Sequence, residues 1–134
     1  MSTEDNKALV RRICVEAWNK GNLAVVDEIS DENVVTHNPP GPLLRGPEAF
    51  KQFVLMYRSA FPDTQITIED EIAEGEQVVT RCTARGTHKG ELMGIPPTGK
   101  QVTVTGMTID RFAGGKSIES WTNFDTLGII QQLG

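Results

Sequence analysis

Apolar positions follow a helical spacing in the first half of the chain and an alternating spacing in the second. Leu9, Val10, Ile13, Cys14, Ala17 and Trp18 make one stripe of a helix, with Lys7, Arg11, Arg12, Glu16 and Lys20 mostly off it. Ser2 or Thr3 can cap its start, the acids that follow suit its first turn, and Gly21 suits its end. Asn22 can cap a short helix running to Ile29. A third helix is expected from Pro47, carrying Phe50, Phe53, Val54, Tyr57, Ala60 and Phe61 and stopped by Pro62. The stretch from His37 to Pro47 is rich in Pro and Gly and reads as a loop.

From Thr64 the period falls to two. Thr64–Ala73, Val78–His88, Val102–Phe112 and Ser117–Thr126 read as consecutive strands. Turns at Glu74-Gly75-Glu76 and Ala113-Gly114-Gly115-Lys116 separate them, with a Gly- and Pro-rich loop at Lys89–Lys100. That loop is rigid and apolar for its length, so it is expected to shape a pocket or a subunit contact. Leu127–Leu133 can form a terminal helical turn. Helices followed by antiparallel strands predict an α+β fold, a curved sheet with the N-terminal helices in its concave face and a cavity between the layers. The length of 134 residues fits one domain spanning 1–134.

Composition narrows the partners. Thirteen Lys and Arg against eighteen Asp and Glu leave a net charge of −5, so no general basic surface exists for nucleic acid. No run approaches the ~20 apolar residues of a membrane helix, and Met1-Ser2-Thr3-Glu4-Asp5 lacks the apolar core of a secretory signal. The two cysteines have no C-x-x-C spacing, so they are expected as reduced thiols in a cytoplasm. Cys14 lies on the apolar helix stripe and Cys82 in a strand, and both read as core. With two histidines and no paired His/Cys spacing, no metal site is expected, and no nucleotide or cofactor motif appears.

Candidate chemistry concentrates in the last strand. Glu119, Trp121, Asn123 and Asp125 share one face by alternation, an odd mixture for either a core or a solvent face. A carboxylate beside an indole in a cavity would have a raised pKa suited to proton transfer; the bland alternative is surface charges around a packed Trp. His37 stands where a strand meets a loop and can point into a cavity mouth or tie the loop. His88 closes a strand and reads first as a turn residue, while Arg81 and Arg85 read first as cross-strand partners of Glu69 and Glu71. Trp18 and Trp121 are both expected at the cavity wall.

Five stretches together resemble the SnoaL-like polyketide cyclase, or ester cyclase, family of the nuclear transport factor two-like superfamily. They are Trp18–Asn22, His37-Asn38-Pro39, Ala60–Asp63, Gly86–Gly90 with Gly94–Lys100, and Gly115–Trp121 running on to Asp125. The resemblance implies a cone-shaped α+β fold with a deep pocket and a cofactor-free enzyme acting on a small hydrophobic molecule. The reaction it implies is closure of a ring by intramolecular aldol condensation. It implies Asp125 as acid/base residue and places His37, His88 and Trp121 at matching motif positions; taken with the residue pattern, Asp125 and His37 are the expected catalytic residues, with Trp18, Tyr57, His88, Glu119, Trp121 and Asn123 around the substrate. It also implies a homodimer. The alternatives are a noncatalytic ligand-binding domain, or an isomerase or hydrolase on the same fold. A ketosteroid isomerase-like site would want Tyr where Trp18 stands, and an epoxide hydrolase-like cluster would need Asp110 and Arg111 on one face, which adjacency on a strand forbids.

Overall fold

The computed structural model describes residues 2–39 and 41–134; Met1, and Pro40 of the expected loop, lie outside the described residues. Helix α1 (Thr3–Arg12) begins with a capping box, in which Ser2 Oγ accepts from Asp5 N at 3.1 Å and Asp5 accepts back from Ser2 N at 3.1 Å. It runs directly into a π-helical segment, Ile13–Asn19. Then come α2 (Ala24–Ile29), strand β1 (Ser30–His37), the two-residue β2 (Leu44–Arg45) and α3 (Gly46–Ala60). Strands β3 (Gln65–Glu74), β4 (Gln77–Thr87), β5 (Gln101–Ala113) and β6 (Lys116–Phe124) follow, and α4 (Thr126–Leu133) ends the chain.

All the strands join one sheet in the order β2-β1-β6-β5-β4-β3. Alternation correctly marks the four long antiparallel strands, whose members pair with their sequence neighbours. The sheet is nonetheless mixed, because β1 lies parallel to β6, with Val35 opposite Glu119 and His37 opposite Trp121. The sequence reading places no full strand at Ser30–His37. Its first four residues, Ser-Asp-Glu-Asn, are polar, and the alternation shows only in Val34 and Thr36, which are buried.

The inner face of the sheet packs against the helices in two clusters. Val10, Ala17, Val25, Val26, Ile29, Val78 and Phe112 form one. Ala60, Phe61, Leu92, Val102, Val104, Ile129 and Leu133 form the other. Leu92, 1% exposed, carries the Lys89–Lys100 loop into the second cluster. Side-chain ties fix the helices to the sheet. Asn19 acts as a short strand partner for β3: its Oδ1 accepts from Ile66 N at 2.6 Å and its Nδ2 donates to Ile66 O at 3.1 Å. Arg12 bonds Glu16 at 2.7 Å and Glu28 at 2.9 Å, binding the first helix to α2. Arg58 of α3 donates to the carbonyls of Trp18 and Asn19, satisfying the end of the π-helical segment.

Candidate active site

Between helices and sheet lies a cavity of about 820 Å3 including its mouth. Its roof is apolar: Val10, Ile13, Cys14 and Trp18 from the first helix, Ile29 from α2, Phe50 and Phe53 from α3. The wider π-helical turn sets Ile13 and Cys14 beside Trp18 on the cavity side, an example of such turns occurring where a site is built. The Trp18 indole meets Phe50 edge-on at 6.3 Å and Phe53 at 5.8 Å, which holds it in place.

The floor is different. Thr36, Thr80, Thr108, Ser117, Ser120 and Thr122 present hydroxyls from the sheet, and Asp110 presents a carboxyl. Cross-strand register organises them. Thr36, Ser120 and Asp110 form one row across β1, β6 and β5, while Thr122, Thr108 and Thr80 form the next across β6, β5 and β4. Ser120 Oγ donates to Thr36 Oγ1 at 3.1 Å. A second chamber of about 640 Å3, lined partly by Tyr57, Phe61, Ala84, Val102 and Ile129, shares Trp18, Phe53, Ile66 and Phe124 with the first. Gly106 faces Phe124 across the strands, and a Cβ there would stand 2.6 Å from the Phe124 ring, so the missing side chain makes room for this dividing ring.

Asp110 is the titratable group that distinguishes the cavity. The residue keeps some exposed surface, but it borders the cavity, and protein surrounds the carboxyl. Loss of hydration pushes its pKa from 3.8 up to about 7, opposed by the neighbouring Thr108 hydroxyl. Cys14 and Cys82 also line the cavity, and burial raises them to about 12 and about 11, so both remain inert thiols at neutral pH. Among the described residues no three His, Cys, Asp or Glu side chains converge as metal ligands.

The residues expected at the site divide between two faces. Trp18 lines both chambers and Tyr57 the second, where burial raises its phenol. Glu119, Trp121 and Asn123 do not join them, because they stand on the outer face of β6, opposite Ser120 and Thr122. The physical reason is space: a floor that must leave a cavity takes small hydroxyl residues, and the large indole goes to the other side. His37 is outside too. Its ring stacks on Trp121 at 5.2 Å and its Nε2 lies 2.8 Å from Glu119 Oε2. Arg111 donates to Glu119 Oε1 at 2.6 Å and, with His37, holds that carboxylate below its usual range.

His88 is completely buried away from both chambers, where its Nδ1 accepts from Thr98 N at 3.1 Å and ties down the Lys89–Lys100 loop. Arg81 pairs with Asp70 at 2.7 Å and Glu71 with Arg11 at 2.9 Å, in place of the expected partnership of Arg81 and Arg85 with Glu69 and Glu71.

Asp125 also requires correction. It lies just past β6, exposed, as the N-cap of α4, where its Oδ1 accepts from Gly128 N at 2.9 Å. Gly128 suits that cap, since a Cβ would stand 2.2 Å from Asp125 Oδ2. Asp125→Ala is expected to cost about 1 kcal/mol, the usual value of a lost N-cap. A thermal melt and a turnover assay check this, with a small fall in Tm and unchanged rate per folded molecule.

Asp110 was legible as the single charged residue on the inner face of β5, which otherwise reads Val102, Val104, Gly106, Thr108 and Phe112. A lone acid within an apolar alternation is the signal that the indole of β6 overshadowed.

A model of the SnoaL-like polyketide cyclase family matches residues 8–133. The chain belongs to that family. Among curated SnoaL-like relatives, the aklanonic acid methyl ester cyclase DnrD of Streptomyces peucetius is 35% identical, covering 100% of this chain and 92% of its own length. A protein of Jannaschia sp. CCS1 assigned to the SnoaL-like cyclases has a solved structure that superposes with a TM-score of 0.92 at 25% identity, over 98% of this chain and 92% of that one. IdmH of Streptomyces antibioticus, assigned as a polyketide cyclase, superposes at 0.83 with 33% identity, over 96% and 98%. This SnoaL-like chain therefore shares the α+β fold of these structures, with its helices packed on a six-strand mixed sheet.

Proposed function

We propose that residues 1–134 act as one cofactor-independent enzyme that closes a ring in a small, largely apolar carbonyl compound, with Asp110 as the proton-transfer group. The observation that carries this reading is the placement of one carboxyl in the floor of a cavity whose roof is apolar and aromatic. The relatives named as methyl ester cyclases support the reaction type. In an aldol closure the Asp110 carboxylate takes a proton from the carbon next to a carbonyl, and the C–H electron pair becomes the enolate. The enolate carbon then attacks a second carbonyl of the same molecule, forming a C–C bond, and the new alkoxide takes the proton back from Asp110. A group that ionises near neutrality can serve both halves. Trp18, Phe53 and Phe124 provide flat aromatic walls against which a planar ligand can stack.

The test is turnover of aklanonic acid methyl ester, the compound that the relative DnrD is named for, by the natural chain and Asp110→Asn. Conversion by the first and loss in the second supports the reading; equal conversion by both contradicts it. The two free thiols suit a reducing cytoplasm as its location.

The chain is also read as a homodimer joined through the outer face of the sheet. Ile72, Val79, Ile109 and Trp121 are successive cross-strand partners across β3, β4, β5 and β6, and His37 of β1 extends the row. Ile72 is 65% exposed, Val79 36% and Ile109 37%, and a continuous apolar row of this kind favours cover by a twofold partner. Light scattering at micromolar concentration is expected to give twice 14.7 kDa, and Ile109→Lys to give the monomer with an unchanged melt. A natural chain of monomer mass would remove this claim.

A further inference from the structure

We propose that the Thr80 hydroxyl is the donor that holds the substrate's carbonyl oxygen while Asp110 takes the proton from the neighbouring carbon. The inference rests on the proton-transfer reading of Asp110 and adds to it a positioning residue on a different strand. Thr80 is 1% exposed, lines the cavity, and its Oγ1 has no hydrogen-bond partner among the described residues. A buried hydroxyl left unpaired costs roughly 1–3 kcal/mol, so its retention beside a cavity points to a ligand atom. It does not serve Glu71, its neighbour on β3, because Glu71 Oε2 is likewise unpartnered. Of the other hydroxyls near Asp110, that of Ser120 is engaged, donating to Thr36.

Geometry selects the same group. Thr80 stands directly opposite Thr108, two residues along β5 from Asp110, so Thr80 and Asp110 are diagonal neighbours on the floor. Such neighbours lie roughly 7–8 Å apart. That interval takes one carbonyl and its adjoining carbon, each about 3 Å from the protein group that serves it. As Asp110 removes the proton, the C–H pair forms the new C=C bond and the carbonyl π pair moves onto oxygen. The Thr80 O–H then donates to an oxygen that is gaining negative charge, and this bond strengthens toward the transition state. The ligand class is a compound with an enolisable carbonyl at the cavity floor and an apolar ring system under the helices.

The test uses 2-naphthol, whose ionised oxygen on a flat ring system imitates the enolate, with binding read from its own absorbance and fluorescence. Thr80→Val keeps the shape and removes the donor; its melt is expected to equal or exceed that of the natural chain, since an unpaired buried hydroxyl is gone. Naphtholate affinity is expected to fall roughly tenfold or more, as for a lost bond to a charged acceptor. Thr80→Ser is expected to recover most of it. In turnover, Thr80→Val lowers kcat more than it changes KM. Equal naphtholate affinity in Thr80→Val and the natural chain would overturn the proposal, whatever Asp110→Asn does. If Thr80→Val weakens binding but Asp110→Asn turns over normally, the oxygen subsite stands and the proton-transfer reading falls.

Discussion

Replacing Asp110 with Asn is expected to lower turnover by roughly two to four orders of magnitude, the range for losing a general acid or base. Asn keeps the size and one carbonyl oxygen but cannot accept the proton. The natural chain's kcat/KM should rise with pH through about 7 as Asp110 ionises, and that limb should vanish in Asp110→Asn. Stability moves the other way. The folded pKa of Asp110 lies above its unfolded value, so the folded chain holds the proton more tightly. The stabilisation linked to it is fully present below about pH 4 and is lost as pH rises through about 7. Above that, the natural chain carries a desolvated charge that Asp110→Asn lacks. The variant is therefore expected to be the more stable at pH 8, by at most about 4 kcal/mol and by less where cavity water reaches the carboxylate. Melts at pH 4 and pH 8 beside the turnover assay check both signs. Loss of activity with a collapsed melt would instead identify Asp110 as structural.

The largest stability effect outside the site is expected at Gly90. The chain leaving β4 folds tightly over the end of α3, where Lys89 N and Gly90 N both donate to Ala60 O, at 3.0 and 3.1 Å. A Cβ on Gly90 would stand 2.2 Å from the Ser59 carbonyl oxygen, which is backbone and cannot rotate away. Asp63 accepts from Thr87 N and Thr87 Oγ1, both at 2.7 Å, and the buried His88 holds Thr98, so neighbours on both sides resist a shift. Gly90→Ala is expected to cost about 3 kcal/mol or more and to lower Tm on the order of 10 °C. Gly75→Ala is the contrast: its φ is +59° but nothing lies within 4 Å, so only backbone strain of about 1 kcal/mol applies. Equal melts for the two variants would show that the β4–α3 junction is softer than its contacts indicate.

Periodicity located the helices and the four long strands, because each buries one face against the other layer and must repeat at its own period. It could not show the parallel pairing of β1 with β6, which depends on contacts between distant segments, or the π-helical turn, whose extra residue leaves no compositional mark. The site was half legible. Trp18 sits on a helix whose buried stripe the sequence shows, and it lines the cavity. On β6 the usual rule that the larger apolar side chain faces inward fails, since Ser120 and Thr122 floor a cavity while Trp121 stacks on His37 outside. A register shift between Arg111 and Phe112 pairs Phe112 with Ser117, so strict alternation cannot be counted through this hairpin. Asp125 misled for another reason: an acid after a strand can equally begin a helix, and the Thr-Leu-Gly that follows makes it the cap of α4.

The central claim is that Asp110 is the cavity's acid/base group, and titration of its carboxyl carbon by NMR tests it most directly. Aspartate-labelled natural chain is compared with Asp110→Asn, which identifies the resonance by its disappearance. A midpoint near 7, with ordinary acidic midpoints for the exposed aspartates, is the predicted result. A midpoint for Asp110 near the ordinary 3.8 would contradict the account.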